Sequence, residues 1–142
     1  MKKRLLGHTA YETEYHVVWV TKYRRPILNA VRKEYLIGLF PKILARMPGC
    51  EIVECNVLAD HVHMVIIIPP KYSVSEVIGT IRGRTSSYLR KRFSRLAKVY
   101  GKEDTVWSPG YYVSTIGLKE ESIIKYVKWQ AHQDSGQAKL DL

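Results

Sequence analysis

The sequence predicts an α+β fold: an antiparallel sheet with two helices on one face, the ferredoxin-like (RRM-like) arrangement, extended by a further C-terminal helix. Three observations predict it. Runs rich in β-branched and aromatic residues alternate with runs whose apolar residues recur at helical intervals, in the order strand, helix, strand, strand, helix, strand, helix. Two strand-like runs are joined by nothing longer than Ala59-Asp60, which suggests a hairpin and hence antiparallel pairing. The 142 residues, 46% hydrophobic and 25% charged, suffice for one domain (residues 1–142) with a real core, and no repeat, low-complexity tract or second domain interrupts them.

Tyr15 to Thr21 is β-branched and aromatic and forms the first strand, followed by a basic, proline-ended exit from Lys22 to Pro26. Ala30 to Met47 places Val31, Tyr35, Leu36, Leu39, Ile43 and Leu44 at helical spacing, and Pro48-Gly49 stops it. Pro41 inside that stretch predicts either a kink or two shorter helices. Glu51 to Leu58 and His61 to Ile68 are the hairpin strands, ended by Pro69-Pro70. Ser73 and Glu76 have the spacing of a capping box, in which each side chain satisfies the other's free amide. The helix they open carries Val77, Ile78, Ile81, Tyr88 and Leu89 on its core side, while Gly79 and Gly83 weaken it or let a backbone or ligand approach closely. A loop from Gly101 to Gly110 leads to a fourth strand over Tyr111 to Ile116. Gly117 then separates a last helix, about residues 119–133, with Glu120 and Glu121 favourable in its first turn and Ile123, Ile124, Val127 and Ala131 as its apolar stripe. Met64 to Ile68 does not alternate in polarity, so something must cover the outer sheet face, and the last helix is the element left to do it.

The charge is +10, and it is uneven. Between Lys71 and Lys102 lie Lys71, Arg82, Arg84, Arg90, Lys91, Arg92, Arg95, Lys98 and Lys102, against Glu76 alone. Such a one-sided stretch is the electrostatic footprint of a polyanion, and a solvated helix face is its blander reading. The longest apolar run, Val62 to Pro70, is too short to span a bilayer, and Met1 to Arg4 lacks the apolar segment of a signal peptide. The expected location is the cytoplasm, without membrane attachment. Cys50 and Cys55 are neither a CxxC pair nor a disulfide framework. A zinc site from Cys50, Cys55, His61 and His63 has the wrong spacing, so two reduced, partly buried thiols are expected.

The chemistry-bearing residues form two pairs. His61 and His63 lie two apart in a strand, so both imidazoles project from one face. Tyr126 and Gln130 lie four apart in a helix, so they share a face there. Two imidazoles and an amide oxygen can hold a divalent cation, and a tyrosine beside it can be a nucleophile. Taken alone, each pair has a blander reading, as hydrogen-bonded core histidines and a packed aromatic. His8, His16 and His132 have no partner at ligand spacing. Trp107, Trp129 and Tyr112 can stack on bases, but core packing is the better expectation for each.

The order of motifs resembles the single-tyrosine HUH transposases, small DNA-nicking and joining enzymes of bacterial and archaeal insertion sequences. The similarity runs through Tyr15-His16-Val17-Val18-Trp19, Lys22-Tyr23-Arg24-Arg25, Asp60-His61-Val62-His63, Pro69-Pro70-Lys71-Tyr72-Ser73, Trp107-Ser108-Pro109-Gly110-Tyr111-Tyr112-Val113 and Tyr126-Val127-Lys128-Trp129-Gln130, nearly the whole chain. The resemblance implies His61, His63 and Gln130 as ligands of a divalent metal, Mg²⁺ or Mn²⁺, and Tyr126 as nucleophile. It implies a substrate of single-stranded DNA folded into hairpins at the element ends, cleaved to a 5′-phosphotyrosine and a free 3′-OH. It also implies a homodimer in which the tyrosine helix of one subunit can complete the other's site in trans, with Gly117 as the hinge. For the DNA-binding surface, the basic stretch offers Lys71, Arg82, Arg84, Arg90 and Arg92. Ala59 stands where the family leads one to expect proline, and the tail from Ser135 is short; neither touches the chemistry. The competing readings are a non-catalytic RNA- or single-strand-binding module on the same sheet topology, an HUH nickase of the replication-initiator or relaxase kind, and a domesticated relative.

Overall fold

A computed structural model describes residues 4–7, 9–101 and 105–135. Met1 to Lys3, His8, Lys102 and the tail beyond Ser135 therefore lie outside the described residues. In chain order the elements are β1 (Arg4–Leu6), β2 (Thr9–Tyr11), β3 (Glu14–Val20), a 3-10 turn (Lys22–Arg24), α1 (Ala30–Leu44), β4 (Glu51–Val57), β5 (His61–Ile67), α2 (Val74–Arg92), α3 (Arg95–Tyr100), β6 (Tyr112–Ser114) and α4 (Glu120–Ser135).

Four strands form one antiparallel sheet in the order β4-β5-β3-β6, which is the ferredoxin-like order expected. β3 and β5 pair over their full length, with Val20 opposite His61, Val18 opposite His63 and His16 opposite Val65. Because side chains alternate, β3 and β5 turn Val17, Trp19, Val62, Met64 and Ile66 to one face, where α1 contributes Leu36, Leu39 and Phe40 and α2 contributes Val77, Ile78, Ile81 and Leu89. Trp19 meets Phe40 and Trp107 edge-on, with ring centres 6.2 Å and 6.0 Å apart. Truncating a buried aromatic of this kind costs roughly 3–5 kcal/mol, so this trio anchors the helix face. On the opposite face, Val18 and Val20 of β3 pack against Tyr126 and Val127 of α4. The last helix is thus the cover that the unbroken apolar strand demanded, but it sits over β3 rather than over the histidines.

Local signals account for most boundaries. Asn29 caps α1 by accepting from the Arg32 amide at 2.9 Å, and Ser73 caps α2 by accepting from the Glu76 amide at 3.0 Å. Pro41 neither kinks α1 into two nor ends it, so helix α1 runs unbroken for 15 residues. The helix stops at Leu44, short of Met47, and the chain turns at Gly49. That turn requires glycine: φ is +94°, and a Cβ would lie 2.9 Å from Pro69 Cγ. Three features depart from expectation. The β1–β2 hairpin and α3 were not anticipated, and the fourth strand is three residues rather than six. All are too short to establish a period in the sequence.

Candidate active site

His61 and His63 project from the outer face of β5, half-buried, with Val18 and Val20 opposite them on β3. The connection before β5 orients the first imidazole. Asp60 Oδ1 lies 2.8 Å from His61 Nδ1, and Asp60 Oδ2 accepts from Arg24 Nε at 3.0 Å. Burial pushes the Asp60 carboxyl up, but the hydrogen bonds and charges of His61 and Arg24 outweigh it and hold the group below its ordinary value. An ionised carboxylate on Nδ1 favours the tautomer that leaves Nε2 as a lone-pair donor, as in carboxylate–histidine–metal arrangements. Arg24 and its neighbour Tyr23 reach their positions with φ of 55° and 58°, backbone conformations that non-glycine residues rarely adopt. Such strain persists only where surrounding contacts impose it.

His63 Nε2 is buried with no hydrogen-bond partner among the described residues. Burial, reinforced by the neighbouring His16, lowers the His63 pKa and keeps the ring neutral. A buried, neutral, unpartnered imidazole nitrogen beside an oriented one is free to ligate a divalent cation. His16, expected to be ordinary, lies with its ring centre 5.7 Å from that of His63, and its own Nδ1 is buried without a partner. Alternation along β3 contained this signal, because His16 shares a face with Val18 and Val20. Among the described residues, no group of three or more His, Cys, Asp or Glu forms a site that could hold a metal, so a third ligand has to be another residue type or a group brought in.

The second pair is on α4. Tyr126 and Gln130 are both buried, and the Tyr126 hydroxyl donates to Gln130 Oε1 at 3.0 Å. Gln130 Nε2 in turn donates to Asp134 Oδ1 at 3.4 Å, so one helix face carries a column spaced four residues apart. Asp134 also accepts from the Tyr23 amide at 3.0 Å and from Ser108 Oγ. The loop residue Ser108 is fixed by the hydrogen bond its backbone N–H donates to the Val20 carbonyl at 2.8 Å. Gly110 completes the seat: a Cβ there would lie 3.2 Å from Gln130 Oε1 and 3.6 Å from the Tyr126 hydroxyl.

This seat lies on the β6 side of β3, where Trp107 bridges Thr21 and Tyr112 packs on Tyr126, whereas the histidines lie on the β5 side. The structure therefore brings His61 to His63 and Tyr126 to Gln130, and puts the two pairs on one sheet face with β3 between them. Asp134 and Gly110 were missed by sequence reasoning. Asp134 continues the spacing of Tyr126 and Gln130 and was legible; Gly110 was not, since its role depends on a distant helix.

The surroundings of Tyr126 do not favour its phenolate. Burial dominates and pushes its pKa up to about 12, with the Arg82 guanidinium opposing and Asp134 assisting. Arg82 is itself half-buried, donating to the Ser108 carbonyl and, at 2.8 Å, to the Pro109 carbonyl, and lying over the Tyr111 ring. Of the basic residues assigned to DNA, Lys71, Arg84 and Arg92 are exposed and Arg90 is half-buried, while Arg82 is already engaged with this loop. Arg84 lines a cleft of about 410 Å³ between α1 and α2 with Tyr35, Lys42, Arg46 and Tyr88. Trp107 is fully buried as expected, but Trp129 and Tyr112 are 53% and 40% exposed, which corrects their assignment to the core. Cys50 and Cys55 are free thiols of intermediate burial, raised in pKa by that burial, Cys55 to about 11.

Comparison with known proteins agrees with the motif order. The model of a family described as "Transposase IS200 like" matches residues 9–130. The transposase for insertion sequence element IS200 of Salmonella typhimurium is 35% identical over 132 residues, covering 93% of this chain and 86% of that protein. The ISDra2 transposase TnpA of Deinococcus radiodurans is 26% identical over 122 residues, covering 84% of this chain and 85% of the relative. Among solved structures, a transposase structure from Deinococcus radiodurans R1 superposes with a TM-score of 0.76 at 26% identity, covering 92% of this chain and 98% of that one. A REP-associated tyrosine transposase bound to a REP hairpin shares the fold, with a TM-score of 0.50 at 17% identity over 88% of this chain and 68% of that one. On a family match spanning the four-stranded sheet, both histidines and the C-terminal helix as far as Gln130, this chain belongs to the IS200-like transposases.

Proposed function

We propose that this transposase cleaves and rejoins single-stranded DNA at insertion-sequence ends through a covalent 5′-phosphotyrosine on Tyr126. The observation that carries the reading is the division of the outer sheet face into two half-sites. One holds the oriented His61 and the buried, unpartnered His63; the other holds the hydroxyl of Tyr126 on a helix that also bears Gln130.

In the proposed reaction the Tyr126 hydroxyl gives up its proton as its oxygen attacks phosphorus, the P–O3′ bond breaks, and the 3′ oxygen takes up a proton to leave as a hydroxyl, so the one proton lost is balanced by the one gained. The 5′ phosphate stays on the tyrosine. Joining is the reverse displacement by a 3′-OH, so the bond energy is conserved and neither ATP nor water is consumed. His61, His63 and, after a helix movement, Gln130 would hold a divalent cation, Mg²⁺ or Mn²⁺. When bound, such a cation neutralises charge on the non-bridging phosphate oxygens and acts as a Lewis acid. Tyr126 has to leave its seat against Gly110 to react, since burial there keeps it a neutral phenol. Breaking the bonds that Asp134 accepts from the Tyr23 amide and Ser108 and swinging α4 about the segment at Gly117 delivers nucleophile and ligand in one movement.

We extend this reading to a homodimer in which α4 completes the site of either its own or the partner subunit, acting on hairpin-forming DNA ends in the cytoplasm. No helix among the described residues is long and apolar enough to cross a membrane. Incubating the full chain with single-stranded DNA and Mn²⁺ tests the chemistry: a covalent adduct that fails to form when a chelator is present from the start supports it, and its absence across the element's own end sequences refutes it.

A further inference from the structure

Beside the proposed nucleophile lies an aromatic recess that the cleavage chemistry does not require. Tyr112, Ser122, Lys125, Tyr126 and Trp129 line an open cavity of about 490 Å³. The Tyr126 ring is its floor. Tyr112 approaches that ring at 5.7 Å and 63°, and Trp129 at 5.9 Å and 37°. Trp129 is 53% exposed and Tyr112 is 40% exposed, although the chain's other two tryptophans are wholly buried. Ser122, Lys125 and Trp129 recur at i, i+3 and i+7 along α4, so they form one stripe facing the recess.

We infer that, while α4 is seated, this recess is a stacking slot for one unpaired nucleobase beside Tyr126, an inference that rests on the proposed single-strand substrate. Two exposed aromatic faces offer the sequence-tolerant contact that any base provides. The lining includes an ammonium, Lys125, and a hydroxyl, Ser122, but no carboxylate, which suits a base that brings its phosphate with it. A paired base in a duplex has both faces stacked on its neighbours and is excluded. The slot thus adds a requirement for unpaired DNA at the nucleophile, independent of the histidines. Trp129 and Tyr112 act as positioning residues that hold the strand at the seated helix before Tyr126 leaves it.

Tryptophan fluorescence of the full chain in EDTA tests this, because Trp19 and Trp107 are buried and Trp129 reports the slot. The probes are a mixed-sequence single-stranded 16-mer and its blunt duplex. The single strand is expected to quench the emission and the duplex is not, with no change when protein concentration alone is raised. Trp129→Ala and Tyr112→Ala should each weaken single-strand binding by about tenfold, the scale of one lost stacking contact, and leave duplex binding within about twofold. Trp129→Phe should keep most of the affinity while abolishing the quench. Equal quenching by duplex, or unchanged single-strand affinity in the Trp129→Ala chain, overturns the slot. So does a fluorescence change on concentrating the protein without DNA, which assigns the patch to a second copy of the chain. Adduct formation with Mn²⁺ is scored separately: quenching without an adduct supports the slot while refuting the proposed chemistry.

Discussion

Replacing Asp60 by alanine removes the acceptor that orients His61 without replacing any of the three proposed ligands. The carboxylate lies 2.8 Å from His61 Nδ1 and is held by Arg24 at 3.0 Å, so the imidazole loses its fixed tautomer and its ring orientation together. Loss of such an outer partner typically lowers metal affinity 10- to 100-fold, about 1.4–2.7 kcal/mol. The Asp60 side chain is 22% exposed and Arg24 44%, so water screens the interaction and the effect belongs near the tenfold end. Asp60→Asn keeps an acceptor oxygen without the charge and should cost a few-fold, between wild type and alanine. Titration with Mn²⁺ followed by electron paramagnetic resonance measures this without DNA. The wild-type curve should also weaken as pH falls, because both imidazoles must be neutral to bind. Burial places the titration of His63 below its ordinary 6.5, so the loss from that ligand comes at lower pH than for a free imidazole. An Asp60→Ala chain that folds normally and binds Mn²⁺ as tightly as wild type would refute the role given to this contact.

Three further outcomes follow from the same geometry. Neutralising Lys71, Arg84, Arg90 or Arg92 should weaken single-strand binding and reduce the salt slope by roughly 0.7 for each lost phosphate contact, as read by anisotropy at several salt concentrations. No change in slope after removing several of them counts against the basic face. Asp134→Ala removes the acceptor shared by Gln130, the Tyr23 amide and Ser108, and should destabilise the seated α4 by about 1–3 kcal/mol, seen as faster amide exchange in α4 with β3 and β5 still protected. Uniform exchange across both would show that the helix has no separate release. Light scattering at micromolar concentration should give twice the 16.4 kDa chain mass, and a monomer mass with or without DNA contradicts the proposed dimer.

What the sequence revealed and concealed divides along physical lines. His61 and His63 share a face, as do Tyr126 and Gln130, because strand and helix periods depend only on spacing, and both relations stand. The antiparallel order was legible for the same reason, since a short linker leaves β4 and β5 no alternative pairing. The resting position of Tyr126 was not legible. It is set by the 105–111 loop docking on β3 through Ser108 and Trp107, a contact across almost 90 residues. Nor does charge density tell which cations face solvent: Arg82 is claimed by the carbonyls of that loop. Trp129, expected to pack in the core, lies off the apolar stripe of α4, and its surroundings are Tyr126 and solvent. Burial governs Tyr126 despite the basic composition, because in a packed site desolvation outweighs one nearby guanidinium.

The central claim is that Tyr126 forms the bond to DNA, and peptide mapping of the covalent adduct by mass spectrometry tests it most directly. The full chain would be trapped on single-stranded DNA with Mn²⁺, digested, and compared with the Tyr126→Phe chain, in which the ring, the Trp129 contact and the fold are retained and one oxygen is lost. The account predicts phosphate on Tyr126 alone and no adduct from the phenylalanine chain, with DNA and metal binding unchanged. Phosphate on Tyr100, Tyr111 or Tyr112, or an adduct that survives Tyr126→Phe, would contradict it.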